Sequence, residues 1–210
     1  MRAVQTLCLG SLATNCYLVY TGEKQVIAAD IGGDAGKLLR FLEERKLTLS
    51  KILLTHGHWD HIGAVAEVQR ATGAEVYIHE QDAEMLSDTT LNLASWIDPF
   101  CDCLAVTDYH TVKDGDVIED GDAAFTVMHT SGHTKGSVCY ICEDIILAGD
   151  TLFRLSRGRT DFPGGSDAEM LESFRKLKNL SGDYRVFPGH NEATTLEFER
   201  KNNPVMRGIL

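Results

Sequence analysis

Thr55-His56-Gly57-His58-Trp59-Asp60-His61, set directly after the apolar stretch Ile52-Leu53-Leu54, constrains this chain more than any other stretch. Three histidines and an aspartate fall within six residues, and imidazole and carboxylate are the donors that borderline divalent metals take. If the chain leaves a strand extended, His56 and His58, two residues apart, point to one side. Asp60 and His61 then stand where a helix begins and aim at a neighbouring point. Two ligand pairs with different directions imply two metals. A plain strand-to-helix loop with Asp60 as N-cap would explain one of these residues and none of the histidines.

The rest of the chain supplies more such residues, each a few positions past a short apolar run. Phe125 to Met128 precedes Thr130-Ser131-Gly132-His133, Ile145 to Ala148 delivers Gly149-Asp150, and Arg185 to Phe187 delivers Pro188-Gly189-His190. Side chains at strand ends converge at one edge of a sheet, as sites do in other α/β folds. Glycines beside the ligands allow the tight backbone paths that convergence needs.

Strands are also predicted over Arg2 to Leu9, Cys16 to Tyr20, Val26 to Ala29, Lys51 to Leu54, Glu75 to Ile78 and Val138 to Cys142. Helices are predicted after Asp34 as N-cap, from about Ile62 to Ala71, around Asp82 to Leu86, and after the capping box Ser166-Asp167-Ala168-Glu169. Residues 87–116, with Trp96, Pro99 and Phe100, read as an irregular segment, either a wall of the site or a neutral insertion.

At 210 residues the chain reads as one domain, 1–210, with a sizeable core. A net charge of −11 argues against nucleic acid as a partner. No apolar run approaches a membrane span and no signal pattern opens the chain, so a cytoplasmic location is expected. The six cysteines are then expected to be reduced. The spacing of Cys101 and Cys103 invites a metal reading. Cys139 and Cys142, three apart in a strand, face opposite sides and cannot chelate together. His79, His110 and His129 read as surface or core histidines.

With these motifs assembled, the chain resembles the metallo-β-lactamase superfamily over essentially its whole length. The likeness rests on Thr55-His56-x-His58-x-Asp60-His61, Ser131-Gly132-His133-Thr134, Ala148-Gly149-Asp150-Thr151 and Pro188-Gly189-His190. It implies an α/β fold, an αββα sandwich of two similar halves with a binuclear metal site at one edge. Within the superfamily it most resembles glyoxalase II-like hydrolases, through Gly149-Asp150-Thr151-Leu152-Phe153 and Gly158-Arg159-Thr160-Asp161-Phe162. The resemblance implies that His56, His58 and His133 hold one metal, that Asp60, His61 and His190 hold the other, and that Asp150 bridges them.

The chain departs from glyoxalase II in three ways. Only about twenty residues follow His190, where that enzyme carries a helical domain that helps bind glutathione. Asp161 stands where a tyrosine is expected, and Asn191-Glu192-Ala193 follows His190 without the usual tyrosine. Hydrolysis therefore carries over better than glutathione specificity.

Two divalent ions, most readily zinc with iron or manganese as alternatives, can share a water and lower its pKa towards about 7. The expected reaction is cleavage of an S-lactoylglutathione-like acyl thioester by the resulting hydroxide, held by Asp60. A thiolate leaving group needs little acid help. Arg154, Arg157 and Arg159 follow Asp150 with no acid before Asp161, and Lys135 lies near His133. In so acidic a chain these four cations suggest a small anionic substrate. The competing reading is a mononuclear iron persulfide dioxygenase, whose branch shares the histidine motifs and the Gly-Arg-Thr-Asp-Phe stretch. A flavodiiron protein would need an acidic residue at the place of His58, and a non-enzymatic metal module would not need the full ligand set.

Overall fold

Alternation along the strands sorts the apolar side chains into three layers. The computed structural model describes residues 1–97 and 105–209. The first sheet runs β1 (Val4–Leu9), β2 (Thr14–Tyr20), β3 (Gln25–Ala29), β4 (Thr48–Leu53), β5 (Glu75–His79) and β6 (His110–Val112), in that spatial order. The first three strands pair antiparallel and the rest pair parallel. The second sheet is built from β7 (Val117–Asp120), β8 (Ala123–His129), β9 (Val138–Cys142), β10 (Ile145–Gly149), β13 (Arg185–Pro188) and β14 (Thr194–Thr195). Its spatial order is β14-β13-β10-β9-β8-β7. A two-stranded ribbon, β11 (Leu152–Phe153) with β12 (Ser156–Arg157), leaves the end of β10.

Tyr17, Val19, Ile27 and Leu53 point inward from the first sheet and meet Phe125, Tyr140 and Leu147 of the second. Their neighbours in sequence, Leu18, Val26, Ala28 and Ile52, point outward and are covered by α1 (Ala35–Arg45) and α3 (Val65–Thr72). On the far side Cys139, Ile146 and Ala148 are covered by α5 (Asp167–Lys178), α6 (Leu196–Asn202) and α7 (Pro204–Gly208). Period-two burial on both sheets thus produces the αββα sandwich, because each sheet must bury both faces. Cys139 and Cys142 lie on opposite faces of β9, one in each layer. Among the described residues no helix is long and apolar enough to cross a membrane.

Several elements differ from the sequence reading. The helix expected from Ile62 to Ala71 is two helices, α2 (Trp59–Ile62) and α3, broken at Gly63-Ala64. There the Ala64 N–H donates to the Ile31 carbonyl at 2.9 Å instead of continuing one helix. Asp34 does not cap α1 with its side chain; it adopts a left-handed conformation and its carboxylate accepts from the Gly10 N–H at 3.0 Å. The piece from Glu80 to Leu86 is a 3₁₀ helix. The stretch read as irregular contains α4 (Ala94–Ile97) and β6, and β7 follows it directly. Pro99, Phe100, Cys101 and Cys103 lie outside the described residues.

His79 and His129 stack face to face, centroids 4.2 Å apart, where β5 and β8 end in opposite sheets. Burial, and then His129, holds the His79 imidazole down to about 4 from an ordinary 6.5. Between those values the unfolded chain binds a proton that the folded chain does not, so stability falls as pH drops through that window. His79→Asn keeps an acceptor for the Gln81 N–H, which the His79 ring accepts at 3.3 Å. Urea unfolding from pH 7 to pH 4 is expected to show a shallower loss of stability in this variant than in the wild type at equal metal loading. Parallel profiles would show that His79 titrates normally.

Candidate metal centre

The seven donors anticipated from sequence meet at one edge of the sandwich, and most of their orientation comes from residues outside the motifs. β3 leads directly into Asp30, which is buried and turns left-handed. Its carboxylate accepts from the Thr55 N–H at 2.9 Å, from the Thr55 hydroxyl at 2.8 Å and from His61 Nδ1 at 2.8 Å. With its proton given to Asp30, the Thr55 hydroxyl can only accept from His56 Nδ1, 3.1 Å away. One carboxylate therefore fixes the Nδ1 proton of two histidines, so that Nε2 is the atom each can offer to a metal. His133 is fixed similarly, since its Nδ1 donates to the Arg159 carbonyl at 2.7 Å.

The freed lone pairs converge. His56, His58 and His133 each offer a nitrogen, and these atoms lie within 4.8 Å of one another; so do the donors of Asp60, His61 and His190, and those of His56, His61 and Asp150. His58 Nδ1 faces His133 Nε2 at 2.9 Å. Asp150 presents Oδ1 to His61 Nε2 at 3.4 Å and Oδ2 to His133 Nε2 at 3.5 Å, so its two oxygens face both triads. His190 Nε2 lies 3.1 Å from Asp60 Oδ2 and 3.8 Å from Asp150 Oδ2.

The nitrogens His56 Nε2, His58 Nε2 and His61 Nε2, with Asp150 Oδ1, are buried without a hydrogen-bond partner. Orphaned buried polar atoms are costly, and three of these four face the centre of the cluster, where a cation would satisfy them. The donor set of imidazole and carboxylate, without thiolate, fits zinc, iron or manganese. Protonation is divided within the cluster. Burial and then His133 hold His58 down to about 3, so the neutral ring keeps one free lone pair at neutral pH. Against their burial, the carboxylates around His61 and His190 raise both, so a metal held there would displace a proton. Burial pushes the Asp60 and Asp150 carboxyls up, but the surrounding histidines outweigh it and hold both below the usual range.

Two glycines are needed for this approach. A Cβ on Gly189 would stand 2.3 Å from Asp150 Oδ1 and 2.6 Å from His61 Cε1. Gly149, left-handed with φ +47, would place a Cβ 2.3 Å from the Thr55 hydroxyl. The His190 loop is held from the other sheet: the Asn15 side chain donates to the Pro188 carbonyl at 3.0 Å, and the Tyr17 hydroxyl donates to the same oxygen at 2.6 Å. Asp82, buried in the 3₁₀ helix, accepts from the Gly57 N–H, the Thr134 hydroxyl and the Gly136 N–H at 3.1, 2.6 and 2.7 Å. It thereby ties the His56–His58 loop to the loop that carries His133.

Sequence reasoning missed Asp30, Asp82, Asn15 and Tyr17. Asp30 had a faint signal, as an acid ending a strand just before Gly32-Gly33; Asp82 had none. The four expected cations are placed unequally. Arg157 and Arg159 line a cleft of about 570 Å³ over the donors. Arg154 is not among its lining residues and instead pairs with Glu192 and packs on Phe198. Lys135 lines a separate cavity with Asp82 and Pro163. The stretch is also less bare of acids than its sequence suggests, because Asp167 at the start of α5 pairs with Arg157 at 2.8 Å. Asp161 grips Arg159 through two hydrogen bonds of 2.6 and 2.7 Å.

Residues 9–190 match the sequence model of the metallo-beta-lactamase superfamily, and that span takes in all seven donors. The chain belongs to this superfamily. The crystal structure of BLEG-1 B3 metallo-beta-lactamase is similar over 98% of this chain and 100% of its own, with a TM-score of 0.93 and 36% identity. TTHA1623 in a di-iron-bound form is similar over 95% and 98% of the two chains, with a TM-score of 0.82 and 34% identity. Hydroxyacylglutathione hydrolase GloC of Haemophilus influenzae is 30% identical over 97% of each chain. Superfamily membership supplies the fold and the metal-binding site, and the Asp30 relay explains how this member aims its histidines.

Asp30→Asn tests that relay. Asparagine tolerates the left-handed backbone but cannot accept from Thr55 and His61 as a carboxylate does. Competition with a chelator is expected to show metal retention weakened by roughly 10–100-fold. Unchanged retention would show that His61 and His56 orient without it.

Proposed function

We propose that this protein is a cytoplasmic metal-dependent hydrolase of small anionic acyl thioesters, S-lactoylglutathione-like in class, with zinc as its working metal. The observation that carries the proposal is the placement of Asp150, whose two oxygens face both triads, so that two ions would share one carboxylate over a cleft open to a small molecule. His56, His58 and His133 would hold one ion, Asp60, His61 and His190 the other, and Asp150 both. Two divalent ions, when bound, supply Lewis acidity and bring the pKa of a water towards about 7.

The chain's own residues do the rest. Asp60, as a carboxylate, can accept the O–H of the attacking water and orient it. Water adds to the acyl carbon, the C–S bond breaks with its electron pair on sulfur, and the products are a carboxylate, a thiolate and protons released to solvent. The thiolate departs without a general acid, and no side chain beside the cleft is needed to protonate it. Arg157 and Arg159 stand at the cleft to receive the anionic part of the thiol carrier. A cytoplasmic setting is supported by the free state of Cys8, Cys16, Cys139 and Cys142.

Metal-loaded protein is expected to release thiol from S-lactoylglutathione and simpler thioesters, and metal removal should abolish this. Asp60→Asn is expected to lower kcat by about 100-fold or more. Arg159→Ala should raise KM more than it lowers kcat, the pattern of lost uniform binding. Oxygen uptake with glutathione persulfide is to be followed alongside. Uptake by the iron form, with negligible thioester cleavage across zinc, iron and manganese, would replace hydrolysis by dioxygenation.

A further inference from the structure

The cleft over the donors is walled mostly by carbon. Leu12 comes from the β1–β2 turn, Trp59 opens α2, Ile97 ends α4, and Phe153 and Phe162 come from and follow the β11–β12 ribbon. Phe162 lies edge-on to His58 with centroids 5.7 Å apart, and Phe153 to His190 at 6.3 Å, so each triad has an aromatic neighbour. Leu12 is 48% exposed and Ile97 53% exposed. Large apolar side chains held out at the mouth of one cavity do little for the core and mark a surface that meets a ligand.

The polar side of the cleft is weaker than its residue types suggest. Arg157 and Arg159 already have carboxylate partners in Asp167 and Asp161. At this solvated rim they can exchange those acids for the anionic part of a thiol carrier, but ion pairs there contribute little to choosing the acyl group. Asn92 is occupied by its own loop, donating to the Met85 carbonyl at 2.8 Å and accepting from the Ala94 N–H at 2.9 Å. That leaves the Ser156 hydroxyl and the Trp59 indole N–H as the neutral polar groups lining the cleft without a hydrogen bond among the described residues. A site built to select a hydroxyacyl group would place several donors and acceptors around its hydroxyl.

We infer that the cleft selects its thioester by the carbon chain of the acyl group, favouring an unbranched apolar acyl of several carbons over a short hydroxyacyl such as lactoyl. The inference rests on the thioester reading above and replaces its lactoyl-like acyl group with an apolar chain. Each methylene that leaves water against Leu12, Ile97 and the two phenylalanines strengthens transition-state binding, while a hydroxyl next to the carbonyl loses hydration with only Ser156 and the Trp59 indole as neutral partners among the described residues.

The experiment uses the metal-loaded protein and thioesters of one thiol with acetyl, butanoyl, hexanoyl, octanoyl and lactoyl groups. The expected result is a rise in kcat/KM of about two- to fourfold per added methylene, with lactoyl below butanoyl. Leu12→Asp combined with Ile97→Asp should flatten the series. The same chain lengths as non-hydrolysable S-alkyl thioethers, followed by calorimetry, report binding without turnover. If no thioester is cleaved but thioether affinity still climbs with length, the reaction assignment fails and the apolar acyl site stands. A flat series in both measurements overturns the inference and leaves thioester hydrolysis intact.

Discussion

Five imidazoles and two carboxylates are directed at one another in a largely dry space, and the surrounding structure is arranged to hold them there. Lone pairs can be aimed only if the other nitrogen of each ring is committed. Asp30 commits His61 directly and His56 through Thr55, and the Arg159 carbonyl commits His133. Each of these partners is placed by a strand end or a ribbon, so the metal geometry inherits the rigidity of the sheets. Four buried atoms of the cluster are left without a hydrogen-bond partner in the protein.

The two sheets contribute unequally but inseparably. The first delivers His56, His58, Asp60 and His61 in one turn after β4, while His133, Asp150 and His190 arrive singly after β8, β10 and β13. Cross-links between sheets then set the distance between the triads. Asp82 joins the β4 and β8 loops, and Asn15 with Tyr17 pins the Pro188 carbonyl to β2. Because Asp150 must face both triads, a shift of one sheet against the other would separate the donors it serves. Inter-sheet packing around Phe125 and Tyr140 is thus part of the metal site's geometry as much as of its stability.

Above the donors, the cleft is made from the least regular parts of the chain: a hairpin turn, the end of a one-turn helix and a two-stranded ribbon. Rigid strands fix the reaction while short loops choose what enters, a division common in α/β enzymes. It also explains why the arginines are poorer anchors than their clustering suggests. They sit where loops from α5 and from beyond His190 can bring acids to them.

What the sequence determined was chemically specific. Histidine and aspartate are dense enough after short apolar runs that the seven residues the structure groups were legible as candidates, and the αββα sandwich followed from the family resemblance that their motifs carry. Strand alternation likewise placed Cys139 and Cys142 on opposite faces, since a period of two needs no knowledge of the rest of the fold. The tertiary structure alone decided which distant groups answer these donors: Asp30 for His61, Asp82 for two loops, Asp167 for Arg157. It also decided that Asp34 serves Gly10 and not its own helix, and that Gly63 breaks a helix the apolar spacing would continue. A hydrogen bond between residues tens of positions apart depends on how two sheets stack, and a lone acid in a strand end or short helix carries no mark of the partner that stacking will bring.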